Sequence, residues 1–152
     1  QPATVLRVFN IVSADPSSKQ VLAAFIARAK EALSHGSSLV EMDSLEAVRD
    51  FVTVRELVAT IERAVTRRVT GEVINVCSGE PLKVRDLLER AKAMLGLPVT
   101  IAGRHSEPGS WSVGDPAKCR ALLGMAPSGS LTEALGFVGA HDGRADLVGA
   151  VG

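Results

Sequence analysis

The chain has 152 residues, of which 46% are hydrophobic, and its 17 basic and 17 acidic side chains cancel in charge. This length suffices for one ordinary hydrophobic core and argues against two independent domains. Because no block of like charge occurs, the composition argues against an extended contact with nucleic acid or an anionic membrane surface and favours a small, locally bound ligand.

The first predicted element is a strand at residues 4–12, where the letters TVLRVFNIV are apolar and β-branched with almost no alternation. That pattern is typical of an interior strand of a parallel sheet, covered on both faces. A turn around Pro16 follows, and residues 19–33 have the apolar spacing of a helix that His35 and Gly36 end. The apolar side chains of this helix are Val21, Leu22, Phe25, Ile26 and Leu33.

The middle of the chain repeats the order of strand, turn and helix. Residues 38–42 and 50–54 are short β-prone segments on either side of a polar loop, and residues 54–67 have the pattern of an amphipathic helix. One side of this predicted helix carries Leu57, Val58, Ile61 and Val65.

A third unit begins with a predicted buried strand at residues 73–77, between Gly71 and Gly79. A helix at residues 82–96 and a short strand at residues 99–103 follow it. Because strands and helices alternate along the whole chain, the predicted fold class is α/β.

The last part of the chain has weaker signals. The letters DPAKCRALLG predict a short helix with Asp115 as its N-cap and Pro116 at its first position. Ser130 and Glu133 have the spacing of a capping box. Residues 136–152 hold five glycines and little periodicity, so we expect this Gly-rich tail to be poorly ordered.

Metal sites, disulfides and membrane segments are not predicted. Cys77 and Cys119 lie far apart, and His35, His105 and His141 have no partner at ligand spacing. No apolar run approaches the roughly 20 residues that span a bilayer, and no charged-then-apolar leader occurs. The expected setting is therefore reduced and cytoplasmic.

Two short motifs come close to known signatures without meeting them. Residues 109–115 miss the Gly-x-Ser-x-Gly elbow of serine hydrolases, because Ser110 stands two positions before Ser112. Residues 135–141, LGFVGAH, could bring backbone N–H groups to a pyrophosphate, but no buried strand precedes them and no good helix follows. Coincidence is the stronger interpretation of both motifs.

Arg49 stands between the polar loop and the predicted strand at residues 50–54. An arginine in such a place is most often solvated or salt-bridged, and Glu46 and Asp50 are close enough in sequence to neutralise it. Its planar guanidinium could instead bind a phosphate through two parallel hydrogen bonds, which a lysine does less well. The residues alone leave both interpretations open.

Five segments follow one another in an order typical of one protein family. They are LRVFNIV, LEAVRDFVTVRELV, GEVINVCSG, VRDLLERAKAMLG and VGDPAKCRALLGMAP. Together they resemble the C-terminal half of the extended short-chain dehydrogenases, the NAD-dependent epimerase/dehydratase family that acts on nucleotide sugars. LEAVRDF and NVCSG are most similar to the GDP-sugar reductases and dehydratases that make deoxysugars, and ordered motifs are more specific than any single one.

The resemblance implies a partial Rossmann-like fold, with the last strands of a parallel sheet and a small mixed α/β substrate-binding region. Residues 1–135 would be the C-terminal half of such an enzyme, followed by the Gly-rich tail at 136–152. Within that half, residues 1–36 would hold a sheet strand and a helix. Residues 37–135 would form the substrate-binding region with the last sheet strand.

The resemblance also implies roles for five residues. Asn10 would meet the substrate diphosphate or sugar, and Arg49 matches the arginine of the family's Arg-Asp-Phe/Tyr motif, which holds the nucleotide diphosphate. Arg104 is the available match to a second phosphate-binding arginine. Val8 and Phe9 would line the nicotinamide side of the cleft.

The catalytic groups of the family are expected to lie outside this chain. In the family the glycine-rich cofactor turn, the catalytic serine or threonine and the Tyr-x-x-x-Lys pair precede the LRVFN strand, and this chain contains no tyrosine. We therefore expect the substrate-binding half of an NAD(P)-dependent nucleotide-sugar epimerase, dehydratase or reductase, which is not competent alone and uses NAD or NADP only in the complete enzyme.

Two kinds of partner follow from this expectation. One is a nucleotide-diphosphate sugar, and the other is the missing N-terminal half or a second chain, paired through the edge of the strand at residues 4–12. The alternative is a stand-alone, non-catalytic binding or interaction module derived from the same fold.

Overall fold

The computed structural model describes residues 3–13, 20–105 and 109–130, which form nine strands and four helices. The strands are β1 (Val5–Val8), β2 (Asn10–Val12), β3 (Leu39–Met42), β4 (Val48–Arg49), β5 (Phe51–Thr53), β6 (Val73–Val76), β7 (Leu82–Lys83), β8 (Thr100–Gly103) and β9 (Trp111–Ser112). The helices are α1 (Val21–Ser34), α2 (Val54–Thr66), α3 (Val84–Leu95) and α4 (Ala117–Leu123). The predicted capping box with Glu133, the LGFVGAH turn and the Gly-rich tail lie outside the described residues.

Most strand pairs are parallel. β1 pairs with β6, β2 with β5 and β3 with β8, all in parallel register. β4 lies between the antiparallel β7 and the parallel β9. Helices separate the paired strands along the chain, so the predicted α/β class is confirmed.

The predicted single strand at residues 4–12 is wrong in one respect, because the chain changes its neighbour at Phe9. The Phe9 N–H still donates to the Val76 carbonyl beyond the end of β1 (3.1 Å), whereas Asn10 N–H donates to the Asp50 carbonyl as β2 begins on β5 (3.1 Å). Within the described residues, β1 has a strand partner on one edge only.

The larger hydrophobic core lies between α1, α3 and the β3–β8 pair. Leu22, Phe25 and Ile26 of α1 are buried there, as their spacing predicts, and Leu87 and Leu88 of α3 are fully buried beside them. A smaller core joins α2, α4 and β6 through Ala64, Ile74, Cys119 and Leu123. The β6 residue in this second core is Ile74.

α2 has an unusual distribution of side chains. It begins with a capping box in which Thr53 Oγ1 accepts the Glu56 N–H (3.2 Å) and the Glu56 carboxylate accepts the Thr53 N–H (2.9 Å). Its buried residues are the small Thr60 and Ala64. Its outward side carries four exposed apolar residues, called here the α2 stripe, which are Val54 (51%), Val58 (57%), Ile61 (45%) and Val65 (72%).

One helix end agrees with the sequence prediction, and the start of another helix differs from it by one residue. α1 ends at His35, and Gly36 follows with a left-handed φ of 71°. α4 begins at Ala117, so Pro116 rather than Asp115 is its N-cap. Asp115 still makes a contact typical of a capping residue, because its carboxylate accepts the Ala117 N–H (2.8 Å) at the start of the helix.

Three further properties hold for the described residues. Cys77 and Cys119 are buried free thiols. No described helix has both the length and the apolar character that crossing a membrane requires. No group of three or more histidine, cysteine, aspartate or glutamate side chains in this part of the chain is arranged to hold a metal ion.

Candidate functional site

The candidate site lies where the parallel strands β1 and β6 end and β2 and β5 begin. In open α/β sheets, ligands bind outside the carboxyl ends of the strands, so this edge is the place to search. The region is called here the Asp50 junction, and it consists of Phe9, Asn10 and residues 49–51, 77–79 and 110–114.

Asp50 connects the three loops of the junction, although its side chain is fully buried. Its Oδ1 accepts the N–H and the hydroxyl of Ser78 at 2.8 and 2.7 Å. Its Oδ2 accepts the N–H groups of Gly79 (2.9 Å) and Gly114 (3.2 Å). A buried carboxylate must be satisfied by donors or by cations, and here four uncharged donors do so.

The Arg49 side chain is half-buried and bonds to a different loop. Its Nη1 donates to the Ser110 carbonyl (2.9 Å) and to the Val48 carbonyl (2.9 Å), and its Nη2 donates to Ser110 Oγ (2.7 Å). All three acceptors are uncharged, and among the described residues no carboxylate contacts the guanidinium.

The salt-bridge interpretation of Arg49 is therefore wrong for the two carboxylates that it named. Asp50 is turned inward to its four donors, and Glu46 pairs with Lys83 (3.0 Å) and Arg85 (3.1 Å). These hydrogen bonds, first from Lys83 and then from Arg85, lower the pKa of the Glu46 carboxyl. Within residues 3–13, 20–105 and 109–130, the positive charge of Arg49 is therefore not cancelled by a carboxylate.

Asn10 begins β2 and bonds to Asp50, the residue after Arg49. Its Nδ2 and its backbone N–H both donate to the Asp50 carbonyl, each at 3.1 Å, and in register Asn10 faces Phe51. The side-chain oxygen of Asn10 is not used in this contact. Asn10 is thus fixed to the carbonyl of the residue that follows Arg49.

Arg104 lies directly after the last residue of β8, at the end of another sheet. Its backbone N–H donates to the Met42 carbonyl (3.0 Å), and its Nη1 pairs with Asp43 Oδ2 at 3.3 Å on the surface. Within the described residues it shares no hydrogen bond with Asn10 or Arg49.

Phe9 packs against the loop at residues 110–114. An added Cβ at Gly114 would lie 2.7 Å from Phe9 Cζ and 2.6 Å from Cys77 Sγ, so only glycine fits there. Burial, and then the charge of Asp50, raise the pKa of the Cys77 thiol to about 12. Cys77 is therefore a protonated packing group at neutral pH. Val8, the last residue of β1, is half-buried.

A second carboxylate, missed in the sequence analysis, holds the last described segment over the junction. Glu56 Oε1 accepts the N–H and hydroxyl of Ser128 (2.6 and 2.8 Å) and the N–H of Gly129 (3.2 Å). Burial raises the pKa of Glu56, but hydrogen bonds from Thr53 and Ser128 outweigh it, so the pKa lies below its ordinary value. The Thr-x-x-Glu spacing at residues 53–56 was the available signal.

These features define a class of protein. The chain is a parallel α/β unit whose candidate ligand site lies at the carboxyl edge of its strands, with an arginine available for an anion. A sequence profile described as the NAD dependent epimerase/dehydratase family matches residues 1–77, about half of the chain. The chain belongs to this family.

Curated relatives point to the same family and are much longer. GDP-6-deoxy-D-mannose reductase of Pseudomonas aeruginosa is 32% identical over 88 residues, which is 56% of this chain and 28% of the relative. dTDP-6-deoxy-L-talose 4-dehydrogenase (NAD(P)(+)) of Kitasatospora kifunensis is 28% identical over 137 residues, or 86% of this chain and 43% of the relative. The chain thus spans less than half the length of either relative.

Solved structures share the fold. RMD from Pseudomonas aeruginosa, in complex with NADPH, superposes with a TM-score of 0.71 at 21% identity, covering 87% of this chain and 44% of that one. UDP-glucose 4-epimerase from Thermotoga maritima, with UDP-glucose, gives a TM-score of 0.67 at 26% identity and covers 87% and 43%. The implied Rossmann-like fold is confirmed by these matches.

Proposed function

We propose that the chain is the substrate-binding half of an NAD(P)-dependent nucleotide-sugar epimerase, dehydratase or reductase, in which Arg49 binds the nucleotide diphosphate. Family membership supports the general class. The names of the relatives refer to GDP-, dTDP- and UDP-linked sugars, so a nucleotide-diphosphate sugar is the substrate class that we infer for the complete protein.

The observation that carries the proposal is that no carboxylate among the described residues pairs with Arg49. Ser110 and the Val48 carbonyl hold the guanidinium through uncharged acceptors, so these contacts position the group without neutralising it. A guanidinium has five N–H donors, and the remaining N–H groups can donate to phosphate oxygens in a planar, bidentate arrangement. A diphosphate that leaves water needs a donor of this kind.

Asn10 and Arg104 have smaller parts in the proposal. Asn10 is held at the same junction and has a free side-chain oxygen in its contact with Asp50, which suits a sugar hydroxyl. Arg104 must first leave its surface pair with Asp43 before it can reach a phosphate, so we rank its contribution below that of Arg49.

The reaction chemistry would come from outside this chain. A bound NAD or NADP would supply the hydride acceptor or donor, and the apolar residues Val8 and Phe9 at the end of β1 are the part of this chain that we assign to the nicotinamide side of the cleft. Because the sequence has no tyrosine, the group that moves the proton at the sugar oxygen in this family has to be supplied by the rest of the enzyme. This chain would hold and orient the substrate.

Arg49→Ala tests the proposal in the polypeptide that contains the rest of the fold. We expect nucleotide-diphosphate-sugar binding to weaken by about 1.5–3 kcal/mol, the range for a hydrogen bond to a charged group. Titration calorimetry with GDP-mannose and with UDP-glucose measures it. Trp111, the only tryptophan, is 69% exposed and next to Ser110, so its fluorescence gives a second readout.

Arg85→Ala is the matched control, because Arg85 is an exposed arginine whose charge is already paired with Glu46. It should leave the dissociation constant within about twofold, the change expected for a surface pair. An unchanged dissociation constant in Arg49→Ala would return Arg49 to an ordinary surface role.

A further inference from the structure

Ser110, an exposed residue directly before β9, holds two nitrogens of the Arg49 guanidinium. Its carbonyl accepts from Nη1 at 2.9 Å, and its hydroxyl oxygen accepts from Nη2 at 2.7 Å. Because both acceptors belong to one residue, they meet the edge of the guanidinium that Nη1 and Nη2 form together. Ser110 therefore occupies the outer edge of the Arg49 side chain.

The hydrogens of the guanidinium show which edge remains for a ligand. Nη1 carries two hydrogens and has two acceptors, the carbonyls of Val48 and Ser110. Nη2 also carries two hydrogens but has one acceptor, and Nε–H has none within residues 3–13, 20–105 and 109–130. In a planar guanidinium, Nε–H and one hydrogen of Nη2 point in parallel along the side edge. The two remaining donors thus form one bidentate edge.

The backbone around Ser110 is fixed by contacts that do not involve the guanidinium. The Ser110 carbonyl also accepts the Val48 N–H at 2.8 Å, as part of the pairing of β4 with β9. On the other side, an added Cβ at Gly109 would overlap the Glu46 carbonyl, so the chain passes too close to Glu46 for any other residue. Because this segment cannot follow a moving side chain, Ser110 sets the position of Arg49 and not the reverse.

We propose that Ser110 is a positioning residue for diphosphate binding, which holds the outer edge of Arg49 and leaves the Nε–Nη2 edge for two oxygens of one phosphate. The inference rests on the proposed function for the identity of the anion. A long side chain that becomes ordered only when the ligand binds lowers affinity by about two- to tenfold. Ser110 orders the guanidinium beforehand, so this loss of affinity is avoided.

The hold on Arg49 is tested in this chain without any ligand, by NMR of isotope-labelled arginine side chains. Rotation about the Nε–Cζ bond of Arg49 should be slow, because both nitrogens of the outer edge are bonded. Ser110→Ala should raise the rotation rate about two- to tenfold, whereas Ser110→Thr keeps the hydroxyl and the slow rate. Arg85 is the internal reference for fast rotation, because it is exposed and its contact with Glu46 uses Nε.

The consequence for binding is tested by titration calorimetry with GDP-mannose and UDP-glucose, in the polypeptide that contains the rest of the fold. Ser110→Ala should weaken binding about two- to tenfold, and Ser110→Thr should restore it. In an Arg49→Ala background, Ser110→Ala should have no further effect, because the hydroxyl acts only through the guanidinium. Ser34→Ala is the matched control, since it removes an exposed hydroxyl on α1 that donates to the Glu31 carbonyl, and it should leave binding unchanged.

The proposal is overturned if Ser110→Ala binds as tightly as the unchanged protein while Arg49→Ala binds less tightly. It is also overturned if Ser110→Ala still weakens binding in the Arg49→Ala background, because Ser110 would then contact the ligand directly. Equal rotation rates at Arg49 and Arg85 in the unchanged chain would contradict the hold itself. If Arg49→Ala alone leaves binding unchanged, the proposed function fails with the phosphate assignment, and the rotation rates still decide whether Ser110 orders Arg49.

Discussion

The Asp50 junction buries a polar group, whereas the α2 stripe exposes apolar ones. At the junction, a charged carboxylate is completely buried, and four donors from two other loops of the same chain satisfy it. Along the stripe, four apolar side chains lie exposed. An unsatisfied buried charge is far more costly than an exposed valine. The chain must therefore supply the donors to Asp50 by itself, whereas the α2 stripe can remain exposed until a partner covers it.

Removing the Asp50 carboxylate should have the largest effect on this chain. Asp50→Ala leaves several buried donors without an acceptor, and at about 1–3 kcal/mol for each we expect a loss of about 3 kcal/mol or more. Urea unfolding followed by circular dichroism measures it. Asp115→Ala, which loses one exposed turn bond, should cost about 0.5–1 kcal/mol; equal losses would show that the junction is not special.

Overpacking the junction should come next. Gly114→Ala would place a Cβ 2.6 Å from Cys77 Sγ, and we expect it to destabilise the chain by about 1–3 kcal/mol. Cys77→Ala removes the sulfur, so the double variant should be more stable than the sum of the two single changes predicts. Strict additivity in the same thermal or urea titration would contradict the contact.

The Glu56 contacts should depend on pH. Glu56→Gln weakens the bonds to Thr53, Ser128 and Gly129, and should lower stability by about 1–2 kcal/mol at pH 7. The folded-state pKa is below its ordinary value of 4.5, so the folded chain binds fewer protons, and this stability is full above 4.5 and is lost as the pH falls through the folded value.

The measurement is the difference in unfolding free energy between the unchanged chain and Glu56→Gln at several pH values. This difference in unfolding free energy should become smaller below pH 4.5. Effects from Glu46 cancel in it, because both proteins retain that residue. A gap that stays constant down to pH 3 would show that the charge of Glu56 is not what holds Ser128.

The smallest effect should be at the stripe. Val58→Ala should change the stability of the isolated chain by less than about 0.5 kcal/mol, because the side chain is 57% exposed. Ile74→Ala, fully buried in β6 of the neighbouring core, should cost about 2–5 kcal/mol. A large loss in Val58→Ala would mean that the stripe is already covered in the chain as it exists.

Local sequence patterns predicted an element well where the spacing of apolar residues fits only one kind of secondary structure. The spacing of Leu22, Phe25 and Ile26 predicted α1 and its buried side. The break at Phe9 could not be predicted in the same way, because a continuous apolar run says nothing about which strand pairs with each half. The α2 pattern likewise predicted an apolar side without indicating whether its cover belongs to this chain.

The site was predicted less completely than the fold. The resemblance gave Arg49 and Asn10 substrate-binding roles, and the structure shows Asn10 bonded to Asp50 and Arg49 bonded to Val48 and Ser110. Asp50 itself was taken as a possible neutraliser of Arg49, whereas its donors come from residues 28 and 64 positions away. Contacts at such separation leave no signal in a local window.

These separations also bear on how the chain folds. Before Asp50 can meet Gly114, a loop of 64 residues has to close, and the entropy cost of closure grows with loop length. We expect these bonds to form after the helices and to be absent from the folding transition state. Changes at Asp50 would then leave the folding rate almost unaltered and accelerate unfolding, so the junction would govern the lifetime of the native state.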